Sequence, residues 1–196
     1  GLPKLSGPTP TENAIGILFV GRVARDKGIF DLLAAFQELL ERGRDVALTI
    51  VGPLELPREL ASRFKAICAG LGDRVVVRPF ETDLDKYYRA SDILCLPSYR
   101  EGFGMVAIEA SSYAKPVVGY DIVGLRDAVV HGETGLLCSP KNIDGLCDAL
   151  EQLVNQPKLR ESLGKAGRSY VEANFRKDQV VARYADYISS LADCRP

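Results

Sequence analysis

The chain has 196 residues, 46% of them hydrophobic and 26% charged, with a formal net charge of -1. That length favours one domain with a real core, and the near-neutral balance supplies no field that would draw nucleic acid or an anionic membrane. No apolar run approaches the roughly 20 residues that span a bilayer, and the opening GLPKLSGPTPTENA lacks the apolar stretch of a secretion signal, so residues 1–14 read as a loop or an artificial boundary.

Ile15 to Val20 (IGILFV) is a continuous apolar run ending at Gly21, which suits a strand buried on both faces. Ile29, Leu32, Leu33, Phe36, Leu39 and Leu40 then recur at helical spacing, with Gly43 as the stop. Val46 to Val51 predicts a second strand closed by Gly52-Pro53, Pro57 to about Ala69 a helix, and Val75 to Val77 a shorter third strand. Thr82 to Ala90 reads as a short helix and Ile93 to Leu96 as a fourth strand closed by Pro97. Gly104 to Tyr113 is helical, Pro116 to Tyr120 a fifth strand and Gly135 to Cys138 a sixth. Strand and helix alternating with short connections predict an α/β fold, a Rossmann-like doubly wound parallel sheet of about six strands. Ligands bind such sheets beyond the C-terminal strand ends, at the switch point. Gly21, Gly52 and Pro97-Ser98 fall there.

After about residue 140 the pattern is all helix. Ile143, Leu146, Leu150, Leu153 and Val154 form one stripe, and Leu159 to Phe175 suggests a second helix. Val180, Val181, Tyr184, Tyr187, Ile188 and Leu191 form a third stripe. It carries few basic residues, so it suits packing on a protein surface better than lying on a membrane.

The five cysteines (Cys68, Cys95, Cys138, Cys147 and Cys194) are scattered, odd in number and without a C-x-x-C pair. They point to a reduced, cytosolic chain without disulfides or structural zinc. His131 is the sole histidine, which removes a His-rich metal site and weakens any Ser-His-Asp scheme.

Two stretches carry chemistry. In FVGRVARDKGIFDLL, Gly21 and Arg22 sit at a strand end and Lys27-Gly28 at a helix start. Free N–H groups, the positive end of the helix dipole and two cationic side chains suit a phosphate or diphosphate. A solvated loop, with Arg22, Arg25 and Lys27 beside Asp26, fits equally well. The spacing is neither G-x-G-x-x-G nor G-x-x-x-x-G-K-[ST], which disfavours hydride transfer and nucleotide hydrolysis. In SYREGFGMVAIEA, Glu101 lies beyond the fourth strand, Gly102-Phe103-Gly104 makes a tight turn, and Glu109 follows on the helix. Carboxylates beside a diphosphate would be repelled, so both glutamates serve better as acceptors for sugar or ribose hydroxyls. Alone, the pair also fits a helix-start acid and a helix-surface acid.

Taken in order, Gly21-Arg22…Lys27-Gly28, Leu96-Pro97-Ser98…Glu101-Gly102-Phe103-Gly104…Glu109-Ala110, Lys115-Pro116-Val117-Val118 and Gly132…Gly135-Leu136-Leu137 resemble a known family. They look like the C-terminal half of a retaining glycosyltransferase of the GT-B type, family 4, over roughly residues 15 to 190. The resemblance implies that residues 15–196 form the nucleotide-sugar-binding half of a GT-B fold. The final helices would pack on an N-terminal domain that binds the acceptor. It implies that Arg22 and Lys27, with Gly21, bind the donor diphosphate and stabilise the leaving group as charge develops. Glu101 would accept hydroxyls of the sugar. Gly102, Phe103, Gly104, Met105 and Val106 would line the donor with backbone N–H groups from Phe103 to Val106. Glu109 would take the ribose, and Arg78, Pro79 and Phe80 would surround the base. Glu81 stands where many members have glycine. No metal and no separate cofactor are implied; the nucleoside diphosphate sugar, UDP- or GDP-linked, is a substrate. The expected whole enzyme transfers a hexose with retention, the departing phosphate itself serving as base. The Glu-Gly-Phe-Gly loop and GLRDAVVHGETGLL look like bacterial enzymes that build lipopolysaccharide or capsule, in the cytosol or lightly on the inner membrane. The acceptor would be a glycan or lipid-linked sugar, with no nucleic acid partner. A non-enzymatic nucleotide-sugar-binding module and a GT-B epimerase remain alternatives.

Asp83-Leu84-Asp85 forms a D-x-D, a metal-binding pattern elsewhere, but at the start of a short helix its acids are expected to cap and to complement the dipole. Arg126 and His131 are expected to be loop residues, and Lys158, Arg160, Lys165 and Arg168 a solvated face.

Overall fold

A computed structural model describes residues 11–175. Six strands, β1 (Ile15–Val20), β2 (Val46–Val51), β3 (Val75–Arg78), β4 (Ile93–Leu96), β5 (Val117–Tyr120) and β6 (Gly135–Cys138), form one parallel sheet ordered β3-β2-β1-β4-β5-β6. The helices are α1 (Ile29–Glu41), α2 (Arg58–Leu71), α3 (Asp85–Ala90), α4 (Met105–Ser112), α5 (Val123–Arg126), α6 (Ile143–Asn155) and α7 (Pro157–Asn174). The strand order reverses between β1 and β4, which makes their C-terminal ends the switch point.

Period-two alternation along each strand divides the apolar side chains between two cores. Ile17, Phe19, Leu48, Ile50, Cys95 and Val118 join α1, α2 and α6 on one face. Leu18, Val20, Val51, Leu94 and Leu96 join Tyr88 of α3 and Ala107, Ile108 and Ala110 of α4 on the other. The chain thus leaves β1 over one face and β4 over the opposite face, opening a crevice between their ends. β3 is an edge strand, and Val76 and Val77 remain 38% and 42% exposed. α7 lies close on α4: a Cβ on Gly164 would stand 2.0 Å from Ala114 O, so only glycine permits that approach.

The α/β sheet expected from the sequence is present, with shifted boundaries. α3 begins at Asp85 rather than Thr82, because Asp83 Oδ1 accepts from Asp85 N–H at 3.1 Å and turns the chain before the helix. Asp83 is therefore a turn residue and not a first-turn acid. A 3₁₀ turn at Arg25–Lys27 and the four-residue α5 have no counterpart in the expected elements, since neither is long enough to show a period. The third late stripe, residues 180–191, and residues 1–10 lie outside the described residues.

Candidate functional site

The site begins with close backbone approaches that only glycine allows. Gly28, at φ +66°, starts α1; a Cβ there would stand 1.9 Å from Pro97 O, so the start of α1 rests on the end of β4. Tyr99 N–H donates to Asp26 O at 2.8 Å. Behind this seam the Asp31 carboxylate, on the first turn of α1, accepts from Tyr99 OH at 2.8 Å and Tyr120 OH at 2.6 Å. Burial, with Asp31 beside it, pushes the Tyr99 hydroxyl up to about 12. The loops after β1 and β4 therefore behave as one unit.

On that unit Lys27 Nζ lies 2.7 Å from Glu101 Oε1, with the two side chains only 16% and 14% exposed. Ser98, fully buried, donates its hydroxyl to the same oxygen at 2.7 Å. Sequence reasoning set Lys27 on the diphosphate and Glu101 on the sugar as separate stations; the structure joins them directly. A carboxylate whose charge is offset by an ammonium no longer repels an approaching diphosphate, and its second oxygen can still accept a hydroxyl.

Arg22 stands apart from that pair. Its guanidinium reaches Glu55 and Asp26 at 2.8 Å each and stays 46% exposed. The hydrogen bond it donates to Glu55, then the charge of Asp26, raises its pKa. Glu55, after β2, was no part of the expected site, because nothing local marks it as facing Arg22.

The loop Glu101–Gly104 is fixed from its far side. Gly124 lies so near that a Cβ would meet Glu101 O at 2.1 Å, and a Cβ on Gly104 (φ +65°) would meet Leu125 Cδ1 at 3.1 Å. Phe103, 39% exposed, sets its ring edge-to-face on Phe175 at 5.5 Å. Met105 and Val106 open α4, where first-turn N–H groups have no carbonyl within the helix and the dipole is positive. Met105 is 57% exposed. Glu109, one turn further, accepts from Tyr88 OH of α3 at 2.8 Å.

Arg78 closes the edge strand β3, its carbonyl accepting from Gly52 N–H at 3.1 Å, and Phe80 beyond it is 67% exposed. β3 stands three strands from β4, about 14 Å at 4.8 Å per step. These two residues therefore lie at one end of an extended site and do not meet Glu101. Glu81 accepts from Tyr87 OH at 2.5 Å and pairs with Lys86 at 2.6 Å, Lys86 above all holding its pKa below the usual range.

Other candidates resolve into structural roles. Asp85 accepts from Arg89 at 2.7 Å and Tyr113 OH at 2.8 Å. Arg126 pairs with Asp121 at 2.5 Å, and His131 Nδ1 accepts from Leu137 N–H at 2.9 Å. Among the described residues no group of three or more His, Cys, Asp or Glu side chains is placed to hold a metal ion. No described helix is long and apolar enough to cross a membrane. The residues sequence reasoning missed, Tyr88, Tyr99, Asp31 and Glu55, act through tertiary contacts. Asp31 alone left a signal, an acid inside the buried stripe IFDLLAAF.

Comparison with known proteins places this arrangement. The family described as Glycosyl transferases group 1 matches residues 7–170. The capsular polysaccharide biosynthesis glycosyltransferase CapM of Staphylococcus aureus is 32% identical over 157 residues, 80% of this chain and 41% of CapM. Sucrose-phosphate synthase of Thermosynechococcus elongatus superposes with a TM-score of 0.82 at 31% identity, over 93% of this chain and 47% of that one. HepE of Anabaena, solved in complex with UDP-glucose, has the same fold (TM-score 0.82, 22% identity, 91% of this chain and 49% of HepE). The chain spans less than half the length of these relatives. Its six-stranded parallel sheet, its two glycine-tight loops at the switch point and the family match over most of its length together make it a member of the group 1 glycosyl transferases, with the fold of a GT-B domain.

Proposed function

We propose that this chain is the donor-binding domain of a retaining glycosyltransferase. The enzyme would move a hexose from a nucleoside diphosphate sugar to an acceptor hydroxyl in bacterial surface polysaccharide or lipopolysaccharide synthesis. The observation that carries this reading is the Lys27–Glu101 pair, largely shielded from water at the switch point, with Glu101 in the loop that leads into the start of α4. It offers, within one side-chain length, a cation for a phosphate oxygen and an acceptor for a sugar hydroxyl.

In this reading Lys27 and Arg22 bind the diphosphate and take up charge as the leaving group departs. The N–H groups of Phe103 to Val106 hold sugar and phosphate oxygens. Glu101 accepts sugar hydroxyls through its second oxygen, Glu109 accepts the ribose, and the base extends toward Arg78 and Phe80. The departing phosphate serves as base, which fits a site whose carboxylates are engaged by donors. No metal is required. The acceptor, a glycan or lipid-linked sugar, enters through a second domain, on the cytosolic side and at most in peripheral contact with the membrane. The similarity to CapM, a capsular polysaccharide biosynthesis glycosyltransferase, supports the capsule assignment, and the UDP-glucose bound by HepE supports the donor class.

Calorimetry with UDP, GDP and ADP tests the site and identifies the base together. One of the three is expected to bind this chain without turnover, and binding by none would refute the assignment.

A further inference from the structure

Tyr88 is 2% exposed on the short helix α3, and its hydroxyl donates to Glu109 Oε2 at 2.8 Å. Its ring stacks on Tyr113 at 5.2 Å and 19°. Tyr113 in turn donates to Asp85 of α3 at 2.8 Å. The two tyrosines thus cross-link α3 and α4 in opposite directions, each hydroxyl on a carboxylate of the other segment. Burial and the Glu109 carboxylate both favour the protonated phenol, so the Tyr88 hydroxyl is a permanent donor there. A carboxylate offers two oxygens. With Oε2 held by Tyr88, Glu109 samples fewer rotamers and keeps Oε1 as a second acceptor, so a ligand hydroxyl meets an acceptor whose ordering cost is already met.

We infer that Tyr88 is a positioning residue that aims Glu109 at a vicinal diol, so that this site selects a ribonucleoside diphosphate over its deoxy counterpart. The inference rests on the donor-binding function proposed above. It also gives a role to Tyr88 as the one buried residue of the six-residue helix between β3 and β4.

The test uses the chain as it stands, with UDP, GDP and ADP and their 2′,3′-dideoxy forms in calorimetry. The wild type is expected to bind the ribo form of its preferred nucleotide about tenfold more tightly or better, since two hydroxyls each donate to an ionised acceptor. Tyr88→Phe keeps the stacked ring and is expected to cut that preference roughly three- to tenfold while leaving dideoxy affinity unchanged. In a Glu109→Ala background the same change should have no further effect, because Tyr88 acts only through Glu109. Tyr113→Phe, which spares the Glu109 bond, should keep the preference. Should Tyr88→Phe prove unstable, Glu109→Asp carries the test: a carboxylate one methylene shorter withdraws from the hydroxyl and is expected to lose the ribose preference alone. An unchanged preference in Tyr88→Phe, or equal losses for ribo and dideoxy ligands, overturns the positioning role. No preference in the wild type overturns the role of Glu109, and no binding of any nucleotide overturns the donor-site reading and this inference with it.

Discussion

Lys27 and Glu101 are 74 positions apart in the chain, yet Nζ and Oε1 meet at 2.7 Å with both side chains largely shielded from water. Removing one partner leaves the other charge half-buried with less to answer it. Lys27→Ala is expected to cost about 1–3 kcal/mol of stability as well as to weaken diphosphate binding. Urea denaturation reads the first effect and calorimetry the second. Unchanged stability would mean that the pair is no more than a surface contact.

Arg22 is held by Glu55 and Asp26, and these acids compete with any phosphate for the guanidinium. Glu55→Gln should therefore tighten nucleoside diphosphate binding roughly two- to fivefold at low salt, an exposed ion pair being worth little more. Arg22→Ala should weaken it. Titrations at two ionic strengths check the origin, because a charge effect at so exposed a group shrinks as salt rises.

The glycine approaches give a graded set of expectations. Gly28→Ala would put a Cβ 1.9 Å from Pro97 O at a φ of +66°, and Gly124→Ala would put one 2.1 Å from Glu101 O. Each should destabilise by about 3 kcal/mol or more, displacing Glu101 in the second case. Gly102→Ala meets nothing within 4 Å and should be close to neutral. Thermal unfolding of the three variants orders them; a Gly102→Ala as damaging as Gly124→Ala would contradict the described loop.

Acid should unfold the protein through its paired carboxylates. Thr11, then Arg74, holds Asp45 below the usual carboxylate range, and Arg42 and Arg44 do the same for Glu151. A carboxylate depressed in the native state binds fewer protons folded than unfolded. Its contribution is complete above the unfolded value of about 4 and is lost as pH falls through the lower native value. Stability should be flat from pH 7 to about 5 and fall steeply below 4, and Asp45→Asn should reduce that slope. Urea midpoints at pH 3, 4 and 6 measure it.

The sequence by itself determined the α/β class, the six strands and the place of the two glycine loops, because apolar periodicity and glycine punctuation are local and survive in any one stretch. It also carried the family motifs, and so the candidates Arg22, Lys27, Glu101 and Glu109. Tertiary structure alone decided who meets whom. It joined Lys27 to Glu101, gave Arg22 to Glu55, seated Glu109 on Tyr88, and made β3, which Arg78 closes, an edge strand. Strand order brings β1 beside β4, and a glycine at position 28 lets their loops touch. Neither consequence is written in the spacing of residues along one segment, since pairing between side chains 21 to 74 positions apart depends on how the sheet is assembled.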